Sequence, residues 1–326
     1  MFRSQLRLAV LATVLSLPAL ASTFSPATAG EWSVSDLVAP VPQIEATRTT
    51  TATPVLRNWM SGDLSAAWAA GYKGKGVTIT FVDEFSGNDP FSGNFGLGTQ
   101  TQLHGYWTSE EGSMIAPSAS IVRKDFSGTS AVALKTGLNV LNLSYAMFAP
   151  AGYSVNQLLW SKQESSIIND AKKGKAVVVK AAGNDSVAMG TMTYDGYQDY
   201  LGDALIGAQS AIFVGALDTN GTVASPASLS GYSDYAGTDP LVQSHFLVVG
   251  VDYTKTQGLA GTSFAAPIVS GYAAILGSKF KTATPTAITN QLLNTARTDT
   301  LLNYNAVIYG RGEASLSRAL APSSIH

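Results

Sequence analysis

Short, almost unbroken apolar runs recur along this chain, separated by polar, Gly-containing segments long enough to hold a helix. The first, GVTITFVD (76–83), is rich in β-branched residues and carries almost no polar side chain. A strand wetted on one face alternates apolar with polar residues, whereas one covered on both faces does not. The same signature returns in SASIVR (118–123), LNVLNLSYA (138–146), KAVVVKAAG (175–183), SAIFVGAL (210–217) and HFLVVGV (245–251). Between them lie helical segments: DLSAAWAAGY, ending near Gly71, and YSVNQLLWSKQESSIINDAKKG (153–174), with Gly174 placed to close it. Strands alternating with helices join in parallel through right-handed crossovers. The expected fold class is therefore α/β, a doubly wound, mostly parallel sheet with helices on both faces. The pattern runs over residues 61–320, with 321–326 left as a C-terminal tail. A chain of 326 residues is long enough for one large domain of this kind.

In open parallel sheets, chemistry gathers at the carboxyl ends of the strands. Asp83 closes the first run, Ser144 stands near the end of the third, and Asn184 follows the fourth. GTSFAAPIVSG (261–271) then puts Ser263 at the mouth of a long apolar helix, among small neighbours that let another backbone approach. A helix N-terminus presents free N–H groups and favours negative charge. Pro267 falls in the first turn, where a missing N–H costs little. A nucleophilic serine needs a base, a carboxylate to orient that base, and donors for the developing oxyanion. Only three histidines exist: His104, His245 and His326. His245 opens an apolar strand and His326 is the last residue, which leaves His104, at the start of HGYWTSEEG, as the candidate base.

These residues carry a resemblance to the subtilisin-like serine proteases, the subtilases. GTSFAAPIVSG is similar to that family's nucleophile motif at nearly every position, and VVVKAAGNDS to its strand followed by Ala-Ala-Gly-Asn. GKGVTITFVD resembles the strand that ends in the catalytic Asp, and His104-Gly105 the start of the His motif. IAPSASI, LNLSY and YGRGEASLSRAL resemble further segments, and the order Asp, His, Asn, Ser is the family's. The resemblance implies that Ser263 attacks the scissile carbonyl, His104 carries the proton, Asp83 holds the imidazole, and Asn184 joins the Ser263 N–H in an oxyanion hole. It also implies that Ser144, Tyr145 and Ala146 pair with substrate backbone, and that Ala181, Ala182 and Gly183 form the opposite wall of the specificity pocket. Glu84 and Phe85 follow Asp83 where the family has Thr or Ser and then Gly. Tyr106, Trp107 and Thr108 replace the family's residues after His-Gly. The expected activity is that of an exported serine endopeptidase acting through an acyl-enzyme. The alternatives are a peptide-binding pseudoprotease and a serine esterase or amidase on the same scaffold.

The N-terminus reads as an export signal. Arg3 and Arg7 precede the apolar run LAVLATVLSLPALA (8–21), and small-x-small cleavage patterns end at Ala21 and Ala29. The expectation is a signal peptide over 1–29, an extension or linker over 30–60, and a secreted or periplasmic product. The run is too short for a stable membrane span. Lys plus Arg number 20 against 22 Asp plus Glu, which supplies no basic field for nucleic acid. The absence of Cys excludes disulfides and thiolate chemistry. The expected partner is a peptide or protein substrate, with no nucleic acid. No cofactor is required for the chemistry. The loop residues Asp185, Asp195 and Asp199 could ligate calcium, but their spacing is not diagnostic and no metal site is predicted.

Overall fold

The computed structural model describes residues 7–10 and 54–326. Most of the segments expected as signal peptide and extension lie outside the described residues. Eleven strands are present among the described residues: β1 (Arg7–Val10), β2 (Val77–Asp83), β3 (Phe91–Gly93), β4 (Gln100–Gln102), β5 (Ser120–Asp125), β6 (Leu138–Leu143), β7 (Tyr145–Pro150), β8 (Val177–Ala181), β9 (Tyr197–Asp199), β10 (Ala211–Leu217) and β11 (Phe246–Gly250). Six of them form one parallel sheet in the order β11-β10-β8-β6-β2-β5. The chain winds outward from the middle in both directions, as a doubly wound sheet does.

Every residue of β2, β8, β10 and β11 is buried, which is why these runs are dominated by apolar and β-branched side chains on both faces. Successive side chains still point to opposite faces. Val77, Ile79 and Phe81 of β2 join one core cluster with Val177 and Val179 of β8, while Val82 and Val178 join another. The first face is covered by α1 (Asp63–Ala69), α2 (His104–Ile115), α6 (Ala266–Lys279) and α7 (Pro285–Asn294), the second by α3 (Lys162–Lys172) and α4 (Tyr200–Leu205). A short helix α5 (Pro240–Ser244) precedes β11. Of the fourteen residues of α6, only Lys279 is not buried, and a helix so apolar on all sides belongs in an interior. Trp59 and Met60, at the end of the segment read as an extension, are already core residues.

Two elements differ from the sequence expectation. The run 138–146 divides at Ser144 into β6 and β7. The second piece leaves the parallel sheet to lie between β1 and β9 in a small antiparallel one. The single helix expected over 153–174 becomes a 3₁₀ turn at Val155–Gln157 and the later α3. Leu158 is drawn into a pocket with Ala149 and Tyr200, and Ser161 then caps α3 by accepting from the Gln163 N–H.

Candidate active site

Asp83 is the last residue of β2 and His104 the first of α2. Their side chains are 0% and 1% exposed, with His104 Nδ1 2.6 Å from Asp83 Oδ1. The same oxygen accepts the Glu84 N–H (2.7 Å), and Oδ2 accepts the Thr108 hydroxyl (2.7 Å). Thr108 lies one turn along α2 from His104, so the helix reaches this carboxylate at two points. The Gly105 N–H donates to the Glu84 carbonyl (2.9 Å) and ties the start of α2 to the end of β2. Asp125, beside Asp83 in the β2–β5 register, folds the intervening loop: its Oδ2 accepts from Phe85 N, Ser86 N and Ser86 Oγ. Burial works to raise the Asp125 carboxyl, but hydrogen bonds from Ser127 and Ser86 outweigh it and hold the group below its ordinary value.

The aromatic residues that depart from the family pattern pack around the start of α2. Phe85 meets Tyr106 edge to face at 5.3 Å, and Trp107 packs against Phe91 and Phe95 while donating its indole N–H to the Phe91 carbonyl. Phe91 and Phe264 place their ring centroids 6.1 and 5.8 Å from that of His104. One ring nitrogen is thus held by a carboxylate. The other, Nε2, is buried without a hydrogen-bond partner. A buried polar atom left unpaired is uncommon and calls for a functional reason.

Ser263 lies in a buried 3₁₀ turn, Thr262–Phe264, which packs against α2 and leads into α6. Its hydroxyl donates to the Ser144 carbonyl (3.3 Å), while the Ser144 hydroxyl donates back to the Ser263 carbonyl (2.9 Å). Asn142, on β6, donates its side-chain amide to the Ser144 hydroxyl and accepts from Ser270 of α6. This lattice fastens the end of β6 to the start of α6. Asn184 follows β8, and its Oδ1 accepts from Thr262 N (2.9 Å) and Oγ1 (3.0 Å). That orientation makes Nδ2 the donor end of the side chain. The structure therefore brings Asp83, His104, Asn184, Ser144 and Ser263 to the carboxyl edge of one sheet.

Of the residues expected to meet substrate, Ala146, Ala182 and Gly183 line a recess beside this edge. Tyr145 and Ala181 turn their side chains into opposite core clusters. The sequence assigned no role to Thr108 or Asp125. A threonine inside a helix and an aspartate at a strand end are common, and only the fold aims them at Asp83 and its loop.

The chain matches the Subtilase family of peptidases over residues 93–312 and belongs to it. It is 31% identical over 189 residues to subtilisin DY of Bacillus licheniformis, across 57% of this chain and 58% of that protein. The chain thus spans a little over half the length of the curated relative it matches. Among solved structures it is similar to the prenylagaramide maturation protease PagA (TM-score 0.52, 18% identity, covering 80% of this chain and 98% of that one). A lanthipeptide protease gives a TM-score of 0.51 at 17% identity, covering 79% of this chain and 91% of the other. At these identities the likeness is one of fold.

Proposed function

We propose that the protein is a serine endopeptidase in which Ser263, His104, Asp83 and Asn184 carry out acyl transfer. The observation that carries this reading is the buried Asp83–His104 pair, whose remaining nitrogen has no hydrogen-bond partner among the described residues and whose helix packs against the turn that holds Ser263. A rotation of the Ser263 hydroxyl from the Ser144 carbonyl to His104 Nε2 would complete the chain of hydrogen bonds, and contacts of this kind tighten when substrate binds. Ser263 Oγ then attacks the carbonyl carbon as its proton passes to Nε2. Asp83 stabilises the imidazolium, and the Asn184 amide with the Ser263 N–H receives the oxyanion. His104 returns the proton to the departing amine, and water repeats the sequence to release the acyl group.

Export through the N-terminal segment belongs to the same proposal; subtilases are commonly exported, and among the described residues no helix is long and apolar enough to cross a membrane. Intact mass of secreted protein checks it, the expected species lacking residues 1–21 or 1–29. For the activity, purified protein is offered denatured casein, a peptide library and simple esters. Cleavage of the protein and peptides supports the endopeptidase, and cleavage of esters alone replaces it with an esterase. A folded protein that cleaves none of them is a pseudoprotease.

A further inference from the structure

The recess beside Ser263 is bounded by Ala146 and Phe148 of β7 on one side and by Ala182 and Gly183 on the other, and three carboxylates line it: Asp185, Asp199 and Asp234. Their circumstances differ. Asp199 forms an ion pair with the fully buried Lys180 at 2.8 Å and also accepts the Met147 N–H. Asp234 is only 6% exposed; its Oδ1 accepts the Asp185 and Val187 N–H groups, and Oδ2 is left without a hydrogen bond. That oxygen sits 2.1 Å from where a side chain on residue 183 would begin, directly against the Gly183 wall. Among the described residues the Asp185 carboxylate has no hydrogen-bond donor, although its backbone N–H is held by Asp234. The recess is therefore lined by three acidic groups and no basic one, and the buried Lys180 behind it is already committed to Asp199.

β7, which supplies one wall of the recess, also pairs along its edge. β1 lies antiparallel along β7, with Ala9 opposite Ala146 and Leu8 opposite Met147. The edge of β7 thus accepts an extended chain, and successive side chains of such a chain point alternately toward and away from the wall formed by Ala146 and Phe148.

We propose that this recess takes the side chain of a lysine or arginine in an extended peptide, its cation held against Asp185 and the unpaired oxygen of Asp234. The proposal rests on the peptidase reading for the bond that is cut, placing the basic residue immediately before it. A cation there removes the repulsion among the three carboxylates and gives Asp234 Oδ2 a donor. A large apolar side chain would instead bury Asp185 and Asp234 without a counter-charge. Burial, reinforced by the neighbouring Asp185, raises Asp234 to about 7, so occupation by a cation also releases a proton near neutrality.

The test uses two readouts on one peptide series that differs only at the residue before the scissile bond: lysine, arginine, norleucine, phenylalanine or glutamate. Wild-type protein is assayed for hydrolysis. The Ser263→Ala protein is assayed for binding of fluorescent peptides ending at that residue. Lysine should exceed norleucine by about ten-fold or more in kcat/KM and in affinity, and Asp185→Asn should shrink the lysine-to-norleucine ratio by about ten-fold. Asp185→Asn keeps the backbone N–H that Asp234 holds, so the loop stays in place. Hydrolysis with norleucine or phenylalanine preferred overturns the recess assignment and leaves the peptidase standing. Lysine-selective binding without hydrolysis supports the recess and removes the peptidase. Absence of selective binding, or a ratio that Asp185→Asn leaves unchanged, overturns the proposal.

Discussion

At Asp83, three donors from two elements converge on one carboxylate, and each is set by a different feature of the chain. His104 and Thr108 reach it from the first two turns of α2, and the Glu84 N–H reaches it from the turn that ends β2. Thr108 is therefore placed to position the proposed base through Asp83. A hydrogen bond to a charged group contributes about 1.5–3 kcal/mol. With two donors remaining, Thr108→Val should lower kcat by about ten-fold with KM little changed, and Thr108→Ser should restore most of it. Equal kcat in the wild type and Thr108→Val would remove that role. At this scale the sequence was unevenly legible. Ser263 and Asn184 stand in long motifs whose small residues have an evident purpose, close backbone approach at a helix mouth. Thr108 stands where the resemblance breaks down, and its role depends on a contact across 25 residues that no local pattern encodes.

Among the elements, α2 and α6 decide whether the proposed base and nucleophile meet. They pack directly on one another through residues with little or no side chain. A Cβ on Gly271 would lie 2.3 Å from Ile115 Cγ2, near the C-terminal end of α2. Alanine is the better helix former, but here it would force the two helices apart. Gly271→Ala should destabilise the fold by about 1–3 kcal/mol, as overpacking does, and should reduce kcat in the fraction that remains folded. A melt and an active-site titration measure the two effects separately, and a more stable Gly271→Ala protein would contradict the packing account. The strands were readable because burial on both faces leaves β2, β8 and β10 rich in Val, Ile, Phe and Ala, with few charged side chains. The break at Ser144 was not, since LNLSYA continues the apolar run and only the exchange of hydrogen bonds between Ser144 and Ser263 ends the strand there. The helix expected over 153–174 failed for a similar reason: its apolar residues Leu158 and Trp160 pack against the segment around Tyr200 instead of continuing a helical stripe.

For the whole molecule, buried acids set how stability depends on pH. Glu111 on α2 is raised well above its ordinary value by burial, with Oε2 unpartnered. Asp203 and Asp234 are each raised to about 7, by burial first and then by Asp199 and Asp185 respectively. A group raised on folding contributes stability that is fully present below its unfolded value and is lost as pH climbs through the folded value, at up to about 1.4 kcal/mol per unit for each group. His245 is lowered by burial and acts in the opposite sense below about 6.5, its ordinary range. Glu84, Asp170, Asp185 and Glu313 are raised by burial as well, so the carboxyl groups outweigh the one histidine and predict a higher Tm at pH 5 than at pH 8, and Glu111→Gln should flatten the slope. A Tm that rises from pH 5 to pH 8 would contradict this. Folding at this scale also brings together residues 83, 104 and 263, and the claim that they act as one unit is the centre of the account. Its most direct test is reaction of the folded protein with a fluorophosphonate, in which Ser263 Oγ bonds to phosphorus and fluoride leaves. The account predicts one adduct, mapped by peptide mass to Ser263, and loss of most labelling in His104→Ala, because an isolated hydroxyl is a weak nucleophile at neutral pH. A folded wild-type protein that remains unlabelled, or a His104→Ala protein labelled as fast as wild type, would contradict it.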